Sequence, residues 1–462
     1  MFRRFYHDGV KISSKILEKA IYELCDKAAC NLSADVMSLM RTEFYRSKSP
    51  RAAHILQNAA KAYETARPLC QDTGCVHVFL EIGNNITFEQ NPKTVINQAV
   101  AKVYTEKFFR KSVIENGLLS GKNTKNNTPA VIETEFTDAD DELKISVLLK
   151  GAGCDNMSFS KMLLPSTTLD ELEDFLVTSI CENGKYACPP VFVSVATGGS
   201  SHNVLALAEK NFFDKKNDFP ELCERIKRRV NGSVDKKYGE FFLADIKIRA
   251  FAHHMASLPL GAAINCQSLR TGSCVIKSDK ITVLTDYDNF EAPETDNSET
   301  REIFTHDTDT AKALKTGENI LLTGKILIAR DAAHKKMLEI RKNGGVLPFK
   351  TENEFIFYAG PCPAKPGEIT GPVGPTTSFR MDKYLPEFPE IAGTIGKGAR
   401  TKDAETFIKQ NNSVYFETEG GIATLLASKF KSMKVIAFED LGAEAVFEAQ
   451  VEKLPLTVAI GR

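Results

Sequence analysis

The stretch NILLTGKILIARDAAHKKMLEIRK, residues 319–342, decides the fold class. Residues 319–329 read as a strand, and from Asp331 to about Lys342 the pattern becomes helical. The same switching runs through the chain before it. Strand-like runs at 76–82, 144–149, 191–196 and 260–264 are interspersed with helical ones at 169–181 and 203–213. Ahead of them, from Ile16 to about Ala66, apolar residues recur at helical spacing (Ile16, Leu17, Ala20, Ile21, Leu24, Cys25), with Ser33 and Asp35 as caps for the helix that follows. The expected class is α/β (α+β). Between Lys277 and Thr310 the sequence turns polar and acidic, with Asp286, Asp288, Glu291, Glu294, Asp296 and Glu299. That stretch reads as a linker, 277–310, separating domains 1–276 and 311–462.

The 462 residues are 42% hydrophobic and 26% charged, ordinary for a globular protein with room for a large core. Lysine plus arginine number 59 and aspartate plus glutamate 60, so a formal charge of −1 supplies no general field for nucleic acid or an anionic membrane. No apolar run approaches about 18 residues, and no membrane span is expected. The N-terminal MFRRFYHDGVKISSK carries two arginines and Asp8 but no apolar signal core. A cytoplasmic location is expected, with a short organelle-targeting leader as the alternative. Eleven cysteines, an odd number with no C-x-x-C, point to a reducing compartment. The closest pairs, Cys25/Cys30 and Cys70/Cys75, lack zinc spacing, and Cys25 and Cys30 fall in the helical pattern as packed apolar residues.

Three other cysteines stand beside turn signals: Cys70 in PLCQDTG, Cys188 in YACPPVF and Cys266 in LGAAINCQS. Thiolates far apart in sequence can converge on a cluster, or these can be small buried apolar side chains. A phosphate loop is excluded, because Gly393-Thr-Ile-Gly396-Lys397 has only two residues between its glycines. Gly198-Gly199 and Gly151/Gly153 make no dinucleotide fingerprint. Arg110, Arg330 and Arg380, each beside turn-rich strings, have the planar fork that a small dicarboxylate needs, although such arginines also make ordinary surface salt bridges. The loop 360–380 holds five prolines and four glycines ahead of Thr376-Thr377-Ser378, and a loop of that length and polarity reads as functional.

The strings RPLCQDTG, HHMASLPLGAAINC, ILIARDAAHKKM, YAGPCPAKPGEITGPVGPTTSFRMDKY, GTIGKGAR and IAFEDLGAEAV, in that order, resemble class I, iron–sulfur-dependent fumarate hydratases and the related L-tartrate dehydratases. The resemblance runs from about Ile16 to Ile460. It implies a fusion of the family's α-type and β-type parts: an N-terminal helical-plus-sheet cluster-binding domain and a C-terminal swivelling β/β/α-like domain. It implies a [4Fe–4S] cluster on Cys70, Cys188 and Cys266, leaving one iron open as a Lewis acid and exposed to oxygen. Substrate contacts carry over to Gln71, Asp72, Arg110, Gly153, Arg330, Thr376, Thr377, Arg380 and Lys397. Thr376 takes the role of base, with Arg380 and Lys397 favouring its alkoxide. Asp72 is paired with His254, which comes from a second subunit, so a homodimer is implied. The implied reaction is reversible hydration of fumarate to L-malate, with L-tartrate dehydration or mesaconate hydration as alternatives and a non-catalytic cluster sensor as a rival of another class. Cys75, Cys154 and Cys362 depart from the family's small hydroxyl residues, and ATGGSSHNVLAL departs from its usual glycine-rich string. Extra thiols near a cluster bear on its oxidation and repair.

Overall fold

Alternation along residues 75–83 places Val76, Val78, Leu80 and Ile82 on one face of a strand, and all four are buried. The computed structural model describes residues 9–47, 49–118, 121–234, 241–287, 292–293 and 300–462. Strand Cys75–Gly83 lies in a five-stranded sheet whose order is Lys280–Val283, Thr271–Lys277, Leu143–Lys150, Cys75–Gly83, Val131–Thr137. All pairs are antiparallel except the last. Helices Ser14–Cys30 and Pro92–Glu106 cover the apolar face, burying Leu17, Ile21, Leu24, Ile96, Val100 and Val103 against it. Cys25 and Cys30 are buried in the same layer, as the helical spacing predicts.

A second sheet, ordered Leu243–His253, Val191–Gly199, Leu258–Asn265, Phe159–Leu163, belongs to the same unit. Helices Leu169–Gly184 and Pro220–Ser233 pack on one of its faces. The first of these begins with a capping box in which Thr168 and Glu171 satisfy each other's backbone amides. On the other face Ala196 and Ala263 meet the short helix Val204–Lys210. The single helix expected over 203–213 is this element followed by a 3-10 turn, Asn211–Phe213. Asn211 spends its side-chain amide on the carbonyl of Val195, which favours the tighter turn.

The other unit is built on a closed ring. Strands Asn319–Ile328, Phe355–Phe357, Gly393–Gly396 and Val414–Glu417 pair in parallel order. The long strand Val446–Ile460 pairs antiparallel with both the first and the last of them. Arg301–Phe304 and Phe430–Ala437 add outer strands. Helix Asp331–Lys342 follows Asn319–Ile328, as the opening stretch of sequence predicts, and its Ala333 and Met337 are buried in the apolar layer.

The units divide as Met1–Arg46 with Asp72–Phe290, and Ser47–Gln71 with Glu291–Arg462. Residues 47–71, read from sequence as part of the N-terminal domain, therefore group with the second unit. The reason is polar. Helix Pro50–Thr65 ends in Ala66 with φ 47, and the buried Asn58 donates to the carbonyls of Leu69 (3.0 Å) and Gly421 (3.1 Å) while accepting from Leu425 N (2.9 Å). Thr424 donates to Pro68 O, and Arg67 holds Pro363 O and Glu368. Inside the interval read as a linker, Lys280–Val283 and Arg301–Phe304 are strands and Thr308–Lys312 is a helix. Asp288, Glu291, Glu294, Asp296 and Glu299 lie outside the described residues, as does most of the N-terminal stretch read for targeting. Among the described residues no helix is long and apolar enough to cross a membrane.

His54 and Glu419 pair at 3.2 Å in this seat. Burial pushes the His54 pKa down, but the charge and hydrogen bond of Glu419 outweigh it and the repulsion of Lys429 and Arg51, leaving it raised above 6.5. Burial pushes Glu419 up, yet His54 and Arg51 bring it down to about 2. A raised histidine stabilises fully below its unfolded value and loses that as pH rises through the folded one; a depressed carboxylate stabilises fully above its unfolded value of 4.5. The pair's contribution is thus complete between pH 4.5 and 6.5 and fades on the alkaline side. The melting temperature of the wild type is expected to fall between pH 6 and pH 9 by roughly 2–4 °C more than that of His54→Gln. Parallel pH dependence of the two melting curves would refute this.

Candidate active site

In the unit carrying the ring, the residues after the seated helix end at Cys70 and Gln71, both buried. Gln71 donates to Pro375 O (3.2 Å), its carbonyl accepts from the Cys362 thiol (3.3 Å), and its side-chain oxygen accepts from Cys70 (3.4 Å). A Cβ on Gly374 would stand 2.1 Å from Gln71 Oε1, so only glycine admits this approach.

The proline-rich loop is fixed by its backbone. Thr376 N donates to Tyr358 O (2.7 Å), Lys397 N to Thr376 O (3.2 Å) and Ser378 N to Lys397 O (2.9 Å). These bonds bring the sequence-predicted Thr376, Thr377 and Lys397 side by side, two segments that alternation alone does not connect. Arg380 Nη1 donates to Thr376 Oγ1 at 3.3 Å and grips Asp331 through Nε (2.9 Å) and Nη2 (2.7 Å). Arg330 meets Asp331 (3.6 Å) and Glu444 (3.1 Å). Asp331 thus joins two arginines, and Glu444 also accepts from Ala332 N. Neither acid was singled out from sequence: Asp331 in a first helical turn looks like a dipole partner, and nothing local marks Glu444. His334 donates from Nδ1 to Arg330 O (3.0 Å), and burial pushes its pKa down to about 4, so it stays neutral and orients the arginine's main chain.

In the other unit, register places two distant cysteines at one end of a sheet. Asn265 pairs with Phe192, so Cys266, just after one strand, and Cys188, just before its neighbour, emerge at the same end of the sheet. Cys188 is half-buried with φ 62, and Cys266 is buried with its N–H on Cys154 Sγ (3.2 Å). The Cys154 pKa is lowered, chiefly by its hydrogen bond with Cys266, against burial and the neighbouring Cys188. Asp72 Oδ1 accepts from Gly74 N (3.2 Å) and pairs with Arg110 (3.2 Å), while Oδ2 accepts from Ala152 N (3.0 Å). Burial works against its ionisation, but Arg110, Arg270 and the two amides hold its pKa below the usual carboxylate value. Gly153 sits in the one-turn helix Ala152–Asp155 that follows. His254 lies on an exposed turn, where its Nδ1 accepts from Ala256 N (3.1 Å).

Behind this cluster Lys150 is fully buried, 3.0 Å from Glu209 and 3.0 Å from Ser158 Oγ, and His77 binds the other oxygen of Glu209 at 2.7 Å. Ser158 in turn accepts from Ile264 N and donates to Cys154 O, so the network braces the cysteine-bearing segments. The sequence carries no sign of it, because a lysine ending a strand reads as a surface group.

Among the described residues no disulfide joins any of the eleven cysteines. Among the described residues no three His, Cys, Asp or Glu groups are close enough to chelate one ion. A polynuclear iron–sulfur cluster has spread thiolate donors and hydrogen bonds to its sulfides, and the donor chemistry here fits it. Two cysteines share a strand end, and the buried Asn265 Nδ2 beside Cys266 has no hydrogen-bond partner among the described residues.

Residues 18–275 match the family described as fumarate hydratase (fumerase), and residues 277–462 match the fumarase C-terminus. The chain belongs to the class I fumarate hydratase family, whose members are hydro-lyases. It is 27% identical over 453 residues to the anaerobic class I fumarate hydratase of Escherichia coli (strain K12), covering 88% of this chain and 80% of that protein. Fumarate hydratase 1, mitochondrial, of Leishmania major is 26% identical over 459 residues, 88% of this chain and 81% of that protein. The two parts also match separate proteins of Methanocaldococcus jannaschii. Its putative L(+)-tartrate dehydratase subunit alpha is 32% identical over 57% of this chain and 98% of that subunit. The corresponding beta subunit is 38% identical over 32% of this chain and 80% of that subunit.

Two outcomes are expected from these contacts. Gly374→Ala displaces the Gln71 side chain and lowers kcat/KM about tenfold or more in steady-state assays of the loaded enzyme, with the melting temperature nearly unchanged. Lys150→Met strands the Glu209 charge and costs about 3 kcal/mol in denaturant unfolding, more than Lys150→Met combined with Glu209→Gln.

Proposed function

We propose that the chain catalyses the reversible hydration of fumarate to L-malate, with a [4Fe–4S] cluster held by Cys70, Cys188 and Cys266. When bound, the cluster supplies a Lewis-acidic iron that polarises the hydroxyl entering or leaving the substrate. The observation that carries the reading is the Thr376–Arg380 hydrogen bond within a loop pinned to Lys397, in a chain whose two parts both match the family. In the dehydrating direction Thr376 Oγ1 takes the proton from the carbon next to the hydroxyl-bearing one, and the adjacent guanidinium favours the alkoxide that does so. Arg110, Arg330 and Arg380 offer forked donors to the two substrate carboxylates, with Asp331 and Glu444 fixing the latter two arginines. Gln71, Gly153 and Thr377 complete the substrate contacts. In the hydrating direction Asp72, kept ionised, receives the proton of the attacking water through His254 of a second copy of the chain and Thr376 returns its proton to the adjacent carbon, the reverse running in dehydration, which makes the working form a homodimer. The odd number of cysteines, with no C-x-x-C pair, supports a reducing compartment.

Dehydration of L-tartrate is the second reading, supported by the higher identity to the two tartrate dehydratase subunits. Anaerobic turnover of fumarate, L-malate and L-tartrate by reconstituted protein separates the two, and air is expected to abolish the activity. Serine at Cys70, Cys188 or Cys266 is expected to remove the visible cluster absorbance, whereas serine at Cys25 or Cys223 leaves it. Equal behaviour of all five variants would defeat the ligand assignment, and inactivity on all three acids with an intact cluster would defeat the substrate.

A further inference from the structure

Arg270 has no place in the residues carried over from the family, yet it touches Asp72 more intimately than any of them. It is only 2% exposed and follows Cys266 by four residues. Its Nη1 donates to the main-chain carbonyl of Asp72 at 2.5 Å. Its Nη2 and the Asp72 carboxylate face the same side of Gly151: a Cβ there would stand 3.2 Å from Arg270 Nη2 and 3.3 Å from Asp72 Oδ2. The arginine is mounted on the sheet, because its own carbonyl accepts from Leu149 N (3.0 Å) and Thr271 pairs with Leu148.

Two arginines therefore serve one carboxylate in different ways. Arg110 is partly exposed, and its Nε also donates to Ser112 Oγ, so it can turn from Asp72 to a substrate carboxylate. Arg270 is enclosed and bound to the main chain of Asp72, so it stays when Arg110 leaves. We propose that Arg270 is a positioning residue that holds the main chain and carboxylate of Asp72 in place while Arg110 is engaged by substrate. This rests on the functional reading above in giving Asp72 the proton of water.

The test combines a double-mutant cycle with hydrogen exchange. In anaerobic steady-state hydration of fumarate by the loaded enzyme, Arg270→Gln is expected to lower kcat by about tenfold or more with KM changed by less than about threefold. Arg270→Lys, which keeps the charge and one donor, recovers part of the loss. In an Asp72→Asn background Arg270→Gln adds little, because the group it positions is already gone. Independently of turnover, the Ala152 and Gly74 amides bonded to Asp72 are expected to exchange faster in Arg270→Gln than in wild type. Equal fold losses in both backgrounds, for the glutamine or the lysine variant, overturn the proposal, as does unchanged protection of those two amides. Should Arg270→Gln not fold, the lysine variant carries the same cycle. A wild type that retains its iron but turns over none of the dicarboxylates defeats the functional reading instead, and the exchange experiment still decides the role of Arg270.

Discussion

A buried amide with three backbone partners holds the second unit together in the form it has. Asn58 ties Leu69, Gly421 and Leu425 into one seat, and every group in that exchange is a backbone polar atom that would otherwise be buried unpaired. Because the seat fixes residues 47–71, it also fixes where Cys70 and Gln71 stand relative to the proline-rich loop, through the Gln71–Pro375 and Cys362–Gln71 hydrogen bonds. The ring of strands supplies the platform on which that loop and the two arginines are mounted. The catalytic threonine of the proposed mechanism thus depends on an asparagine more than 300 residues earlier in the chain, although the two do not touch.

The first unit adds buried charge to buried amides such as Asn211. Asp72 is clamped from three directions, and the Lys150–Glu209–His77 network behind it braces the strand ends that carry the cysteines. Buried ion pairs of this kind contribute little net stability, since desolvation offsets attraction. What they do is penalise every arrangement that separates the partners. The result is a fixed carboxylate and a shared strand end for Cys188 and Cys266.

Much of this was legible in the sequence. Helices Ser14–Cys30 and Leu169–Gly184 and strands Cys75–Gly83 and Asn319–Ile328 follow from periodicity, because one-sided burial imprints a repeat on composition. The seating of residues 47–71 was not, since an amphipathic helix shows which face is buried and not what buries it. The arginines of the loop region stood out beside turn residues, whereas Arg270 and Lys150 did not. Both lie at strand ends, where a cation normally reaches water, and only the packing of two sheets reveals that they do not. The cysteines were ambiguous until resemblance singled out three; strand register then accounts for two of them lying at one end of a sheet.

The seat around Asn58 has a consequence for how the protein is made. Asn58 and its partner Gly421 are 363 residues apart. At ~5–20 residues per second a ribosome needs on the order of 20–70 s to deliver the second after the first. For that interval the helix Pro50–Thr65 has emerged with its apolar face and asparagine uncovered, while the strands of the other unit are synthesised before the rest of its own. The nascent chain must hold this segment aside, unpaired and unaggregated, until the last strands arrive, so newly synthesised protein will be most vulnerable to misassembly and most dependent on chaperones late in elongation.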